Sequence, residues 1–109
     1  MSYQVEILPQ ALSEIENAFR WIADNISSTT AERWYEDLLE AIRSLESFPN
    51  RCAVAPEAQE FQQEIRQLWI GKIKNYRALF IVEANQVFIL HVRHSSRAAL
   101  RKDPPSLEI

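Results

Sequence analysis

The order of patterned segments in this 109-residue chain predicts one α+β domain, β-α-α-β-β-β, with an antiparallel sheet packed against an N-terminal helical hairpin. Three observations lead there. Apolar residues recur at helical spacing through two early stretches, 11–26 and 31–45. Strand-like runs gather in the C-terminal half, at 64–70, 75–83 and 86–94. Short polar breaks separate the helices and the last two strands, which makes each pair antiparallel neighbours.

Taken in order, Tyr3-Gln4-Val5-Glu6-Ile7 alternates apolar and polar and predicts a short strand with one buried face. Pro9 suits the first helical position, where its missing N–H costs nothing. Ala11, Ile15, Phe19, Ile22 and Ile26 form the first stripe, with Glu14, Glu16, Arg20 and Asp24 on the other side. Ser27-Ser28-Thr29-Thr30 breaks the period, and the spacing of Thr29 and Glu32 predicts a capping box. Ala31, Trp34, Tyr35, Leu38, Ala41, Ile42 and Leu45 form the second stripe, ending near Phe48-Pro49. Residues 49–63 lack a period and predict a loop, with a turn of helix around Pro56–Phe61. Gly71, the chain's one glycine, marks the turn after the first late strand. Ala84-Asn85 predicts a tight hairpin connection, with Asn85 suited to positive φ. The expected organisation is one domain over residues 1–97 and a polar tail over 98–109 with Pro104-Pro105.

Composition narrows the class. Hydrophobic residues at 47% suffice for a core. Cys52 is the one cysteine, so an internal disulfide is excluded and a reducing cytoplasm is expected. The N-terminus has no basic and apolar leader pattern, and no apolar run approaches the ~18 residues of a membrane span. Two histidines and one cysteine at unrelated spacings speak against zinc, and neither a metal nor a cofactor is expected. The net charge of −3 conceals an asymmetry. Residues 1–64 hold 12 acidic and 4 basic side chains, while residues 65–102 hold 8 basic and 1 acidic. The basic half points to an anionic partner, nucleic acid or an acidic peptide. Neutralisation of one half by the other within the fold accounts equally for the charge count.

Several motifs resemble the RelE/ParE superfamily of bacterial toxins, the plasmid-stabilisation proteins paired with antitoxins in type II systems. Tyr3–Ile7 followed by Pro9-Gln10-Ala11 resembles the family's first strand and helix start. Ala31-Glu32-Arg33 through Phe48-Pro49 resembles its second helix. Ile65-Arg66-Gln67-Leu68, Tyr76-Arg77-Ala78-Leu79-Phe80 and Val92-Arg93-His94-Ser95-Ser96-Arg97 resemble its three later strands. The resemblance covers residues 3–97. It implies the fold read from the periods, growth inhibition in the cytoplasm, and a cognate antitoxin. It also implies DNA gyrase as target for a ParE-like member, or the ribosome and mRNA for a RelE-like one. It leaves a homodimer open.

Metal-free RNA cleavage needs a group to move protons and cations to stabilise the phosphorane. The resemblance and the chemistry place Arg77, His94 and Arg97 as candidate catalytic residues. Each arginine offers a fork of donors for a phosphate, and imidazole as a residue type suits proton transfer near neutrality. Arg66, Lys72 and Lys74 are candidate substrate- or partner-binding cations. Each has a structural reading beside it: Arg77 can satisfy carbonyls or a carboxylate within the fold, and the lysines can be solvated turn residues. His91, opposite in parity to His94, reads as a satisfied, half-buried histidine. Trp21 and Trp34 are candidate antitoxin-binding aromatics, expected with Tyr35 along an exposed groove on the hairpin. RelE-type ribonucleases carry a tyrosine after the last strand, whereas no tyrosine here follows Tyr76. That absence, the long hairpin over 10–48 and the sequence pI of 5.4 lean the reading toward a ParE-like, non-enzymatic toxin. A degenerate member that keeps antitoxin binding without toxicity is the third reading.

Overall fold

A computed structural model of the chain describes residues 2–71 and 75–94. The elements follow the predicted order. They are β1 (Gln4–Ile7), α1 (Pro9–Asn25), α2 (Ser28–Ser44), a 3-10 turn (Pro49–Arg51), α3 (Glu57–Phe61), β2 (Arg66–Ile70), β3 (Tyr76–Glu83) and β4 (Gln86–His94). The strands form one sheet in the order β1-β4-β3-β2. β2, β3 and β4 are antiparallel neighbours, as expected. β1 departs from the expectation: it lies parallel to β4, from Gln4 opposite Gln86 to Ile7 opposite Ile89, so the sheet is mixed. A parallel neighbour requires a long crossover, and the chain from α1 to β3 supplies it.

Pro9 occupies the first turn of α1, and Leu8 before it offers no side-chain cap. Leu8 N–H donates to the Ile89 carbonyl at 3.1 Å, and its own carbonyl accepts from Leu12 N–H at 3.0 Å. The cap of α2 is Ser27 and not the expected Thr29, which lies inside the helix. The Ser27 hydroxyl accepts from Thr30 N–H at 3.0 Å and donates to Thr30 Oγ1 at 2.7 Å. The break between the helices is thus shorter than the polar run suggests, because Ser28 and both threonines adopt helical geometry once Ser27 satisfies a free amide.

Ala11, Ile15 and Ile22 of α1 and Ala31, Trp34, Leu38 and Ile42 of α2 are buried. They form one core with Ile70, Tyr76, Ala78, Phe80, Val87, Ile89 and Val92 of the sheet. The opposite sheet face carries a smaller cluster of Ala55, Ile65 and Leu79, flanked by Ala58, Ile81 and Leu90. Part of the segment before β2 pairs with that edge strand. Ala55 N–H donates to Ile65 O at 2.7 Å and Gln67 N–H to Ala53 O at 2.9 Å, which covers the start of an otherwise open strand edge. Gly71 takes φ 75°, as expected of the turn residue. In the β3–β4 turn the positive φ falls on Ala84 (55°) and not on Asn85. A bulge leaves Leu90 of β4 without an opposite residue, since Leu79 faces His91 and Phe80 faces Ile89.

Candidate functional site

The sheet register decides which candidate residues can meet. Tyr76 lies opposite His94, and Arg77 lies opposite Arg93. Side chains alternate between faces along a strand. Tyr76 belongs to the hairpin-side core, so His94 points to the same side while Arg77 and Arg93 point to the other. The rings agree: Tyr76 packs on Trp34 at 5.0 Å between centroids, and His94 meets Tyr76 edge-on at 4.9 Å. Arg77 and His94, expected to share one nuclease site, are therefore separated by the sheet.

Arg77 is buried and fully engaged. Its guanidinium grips Glu57 of α3 in a bidentate pair, Nη1 to Oε1 at 3.0 Å and Nη2 to Oε2 at 2.5 Å. Nη1 also donates to Gln67 Oε1 at 3.0 Å. The side chains of Arg77 and Glu57 are 7% and 0% exposed. Of the two roles read for Arg77, this is the geometry of the structural one: a buried charge satisfied by a carboxylate of the same chain. Arg66 is likewise occupied. It donates to the carbonyls of Asn50 at 3.2 Å and Cys52 at 2.5 Å, and pairs with Glu64 at 3.0 Å. Lys72, Lys74 and Arg97 lie outside the described residues. For Arg66 and Arg77, charge neutralisation thus runs within the fold. Burial pushes the Cys52 thiol up, against the opposing charges of Arg51 and Arg66.

A polar site missed in the sequence lies where β1 ends and β4 continues. Glu14 of α1 accepts from Val92 N–H at 2.9 Å and contacts His91 Nδ1 at 3.1 Å. Gln10 donates to it at 3.2 Å. Burial pushes the Glu14 carboxyl up. Hydrogen bonds from His91, Val92 and Gln10, with the charge of His91, outweigh this and hold it below its ordinary value. His91 is thus the satisfied, half-buried histidine its parity suggested. Glu14 could have been suspected from its place between Ala11 and Ala18 on the sheet-facing side of α1. Glu57 stands in an unpatterned loop and gives no such signal.

The hairpin aromatics expected along one groove, Trp21, Trp34 and Tyr35, do not share a surface. Trp34 is 8% exposed and faces the sheet, because it shares the stripe of Ala31, Leu38 and Ile42. Trp21 is exposed, but the helical period sets it on the far side of α1 from α2. The seam between the helices is instead lined by Leu12, Phe19, Tyr35 and Leu39. Phe19 and Tyr35 meet edge-to-face at 6.0 Å. Leu12, Tyr35 and Leu39 are all exposed. Among the described residues no group of three or more His, Cys, Asp or Glu is placed to hold a metal. No described helix is long and apolar enough to cross a membrane.

A buried Glu57–Arg77 pair on one side of the sheet and exposed apolar side chains on the helix pair on the other mark a small α+β domain. The chain belongs to the ParE toxin family: the model for "ParE toxin of type II toxin-antitoxin system, parDE" matches residues 5–99. The same fold occurs in a solved chain from the "Chromosomal ParDE TA system from P. aeruginosa". That chain superposes with a TM-score of 0.68 at 16% identity, covering 85% of this chain and 96% of the other. No curated protein matches the chain.

Proposed function

We propose that this chain is the toxin of a type II pair, that it inhibits growth by binding DNA gyrase in the cytoplasm, and that a cognate antitoxin silences it by covering the hairpin seam. Family membership supports the toxin role. The observation favouring binding over RNA cleavage is the separation of Arg77 from His94 by the sheet. A phosphorane-stabilising arginine and a proton-moving histidine must converge within hydrogen-bond reach of one phosphate. Here the arginine is held by Glu57 on one face of the sheet, and the histidine meets Tyr76 edge-on at the other. The seam suits an amphipathic segment laid along the two helices.

The test is expression of the chain without antitoxin, scored in parallel for mRNA cleavage and for inhibition of gyrase supercoiling. His94→Gln, which cannot titrate, should leave toxicity nearly intact. Reversing charge with Arg97→Glu should reduce it. A folded His94→Gln protein that is harmless, beside a wild type that cuts mRNA, sinks the binding reading in favour of an endonuclease. A wild type that binds antitoxin but harms nothing points to the degenerate reading. Tyr35→Ala or Leu39→Asp should weaken antitoxin binding by about 2 kcal/mol if the seam holds a hot spot.

A further inference from the structure

The buried pair of Glu57 and Arg77 takes no part in the function proposed above, and it is what docks α3. Glu57 is the one buried residue of that helix. The helix has five residues, far below the ~12 that stand alone in water, and no side chain caps its start. It is held to the sheet by a charge and not by an apolar stripe. Gln59, Glu60 and Phe61 are exposed. Beside the helix, Val54, Ala55, Pro56 and Ala58 line an open cleft of about 540 Å³. The stretch before α3 is fixed, since Cys52 belongs to the main core and Ala55 N–H donates to Ile65 O at 2.7 Å. Gln62, which ends α3, is left-handed at φ 54°, a strained state for a residue with a side chain and one that lifting the helix would release. Thus α3 spans from a firm attachment at Ala55 to a strained joint at Gln62.

We propose that α3 is a latch that lifts from the sheet as a unit, and that Glu57 is an internal competitor for an oxyanion site on Arg77. The closed latch keeps the site filled, and an external carboxylate or phosphate takes the place of Glu57 when it opens. A buried ion pair is a poor device for stability alone, since apolar side chains of like volume usually serve as well or better. What it adds is exchangeability. The Arg77 fork can donate to a carboxylate or a phosphate alike, and Glu57 is the oxyanion this chain supplies. Arg93 stands opposite Arg77 on the same sheet face. A lifted latch therefore leaves two guanidinium groups on adjacent strands, a setting that repels itself and attracts an anion. The device goes beyond the toxin reading and does not depend on it.

The experiment is hydrogen–deuterium exchange of the full chain, read at single amides by NMR. The reporters are Ala58 N–H, which donates to Ala55 O at 3.0 Å, and Gln63 N–H, which donates to Ala58 O at 3.2 Å. Both should show one shared protection factor, about a hundredfold or more below that of the β3–β4 ladder. Inorganic phosphate and citrate, one for each anion class, are then added at fixed ionic strength against sodium chloride. At least one should lower the shared protection severalfold and saturably, because it binds only the open latch. Both salts otherwise strengthen burial, so faster exchange runs opposite to their general effect. The anion that acts names the class of ligand. Glu57→Leu with Arg77→Met removes the site and leaves no buried charge, and in that variant neither anion should speed exchange. Four outcomes overturn the proposal: reporters that exchange only together with the ladder, unequal protection at Ala58 and Gln63, protection that neither anion lowers beyond chloride, or the same anion response in the double variant.

Discussion

On the hairpin side of the sheet sixteen buried residues form one continuous core. On the α3 side the described cluster has three, Ala55, Ile65 and Leu79, beside one buried ion pair. The first side is held by apolar area, a non-directional force spread over many residues. The second is held by a few directional bonds gathered at Glu57, Arg77 and Gln67. A short segment with little apolar surface can be fixed in place by such an anchor, but the arrangement fails all at once when a partner is removed.

The sharpest way to break that comparison is Glu57→Ala. It leaves Arg77 charged and buried without its partner, and should cost about 3–5 kcal/mol in denaturant unfolding. Replacing both members, Glu57→Leu with Arg77→Met, should restore most of the loss, since no charge then remains buried. A small effect for the single change would mean that α3 opens and lets water reach Arg77. On the hairpin side, Leu38→Ala should cost about 3 kcal/mol through cavity formation, with no single compensating partner. Ser27→Ala should cost about 1 kcal/mol by uncapping α2, whereas Thr29→Ala should cost little, because Ser27 is the cap. The smallest effect is expected at Glu14. Its folded pKa is lowered, so its contribution is fully present above the unfolded value of about 4.3 and is lost as pH falls through the folded one. Glu14→Gln should flatten that acid limb by less than about 1 kcal/mol, read as stability against pH. An unchanged slope would show that the carboxylate's bonds are also present in the unfolded chain or never form.

Much of this fold could be read from periods. The stripes of α1 and α2 follow from residues recurring every three or four positions, and β3 and β4 from runs of branched and aromatic residues. Periods report which side of an element is apolar. They do not report direction between distant strands, so the parallel pairing of β1 with β4 was not legible. Nor do they distinguish a buried aromatic from an exposed one on a broad stripe. Trp34 and Tyr35 are adjacent in sequence, yet one enters the core and the other lines the seam. The candidate site was less legible still. Arg77 was read both as a candidate catalytic residue and as a residue bound within the fold, and the partner that holds it lies 20 positions away in a stretch without pattern. Turn chemistry erred by one residue at Ala84 and by two at Ser27, where the local hydrogen bond, and not residue preference, selects the position.

Glu14 takes the place of a neighbouring strand. Where β1 stops, the next outward amide of β4 is met by a helix side chain and not by a backbone carbonyl. Solvent exchange at Val92 is thereby tied to α1. Its deuterium uptake should accelerate whenever the hairpin lifts from the sheet, even while the β3–β4 ladder stays closed. That single amide offers a residue-level gauge of hairpin docking. In complexes that clamp α1 its exchange should slow without any change in the pairing of β4.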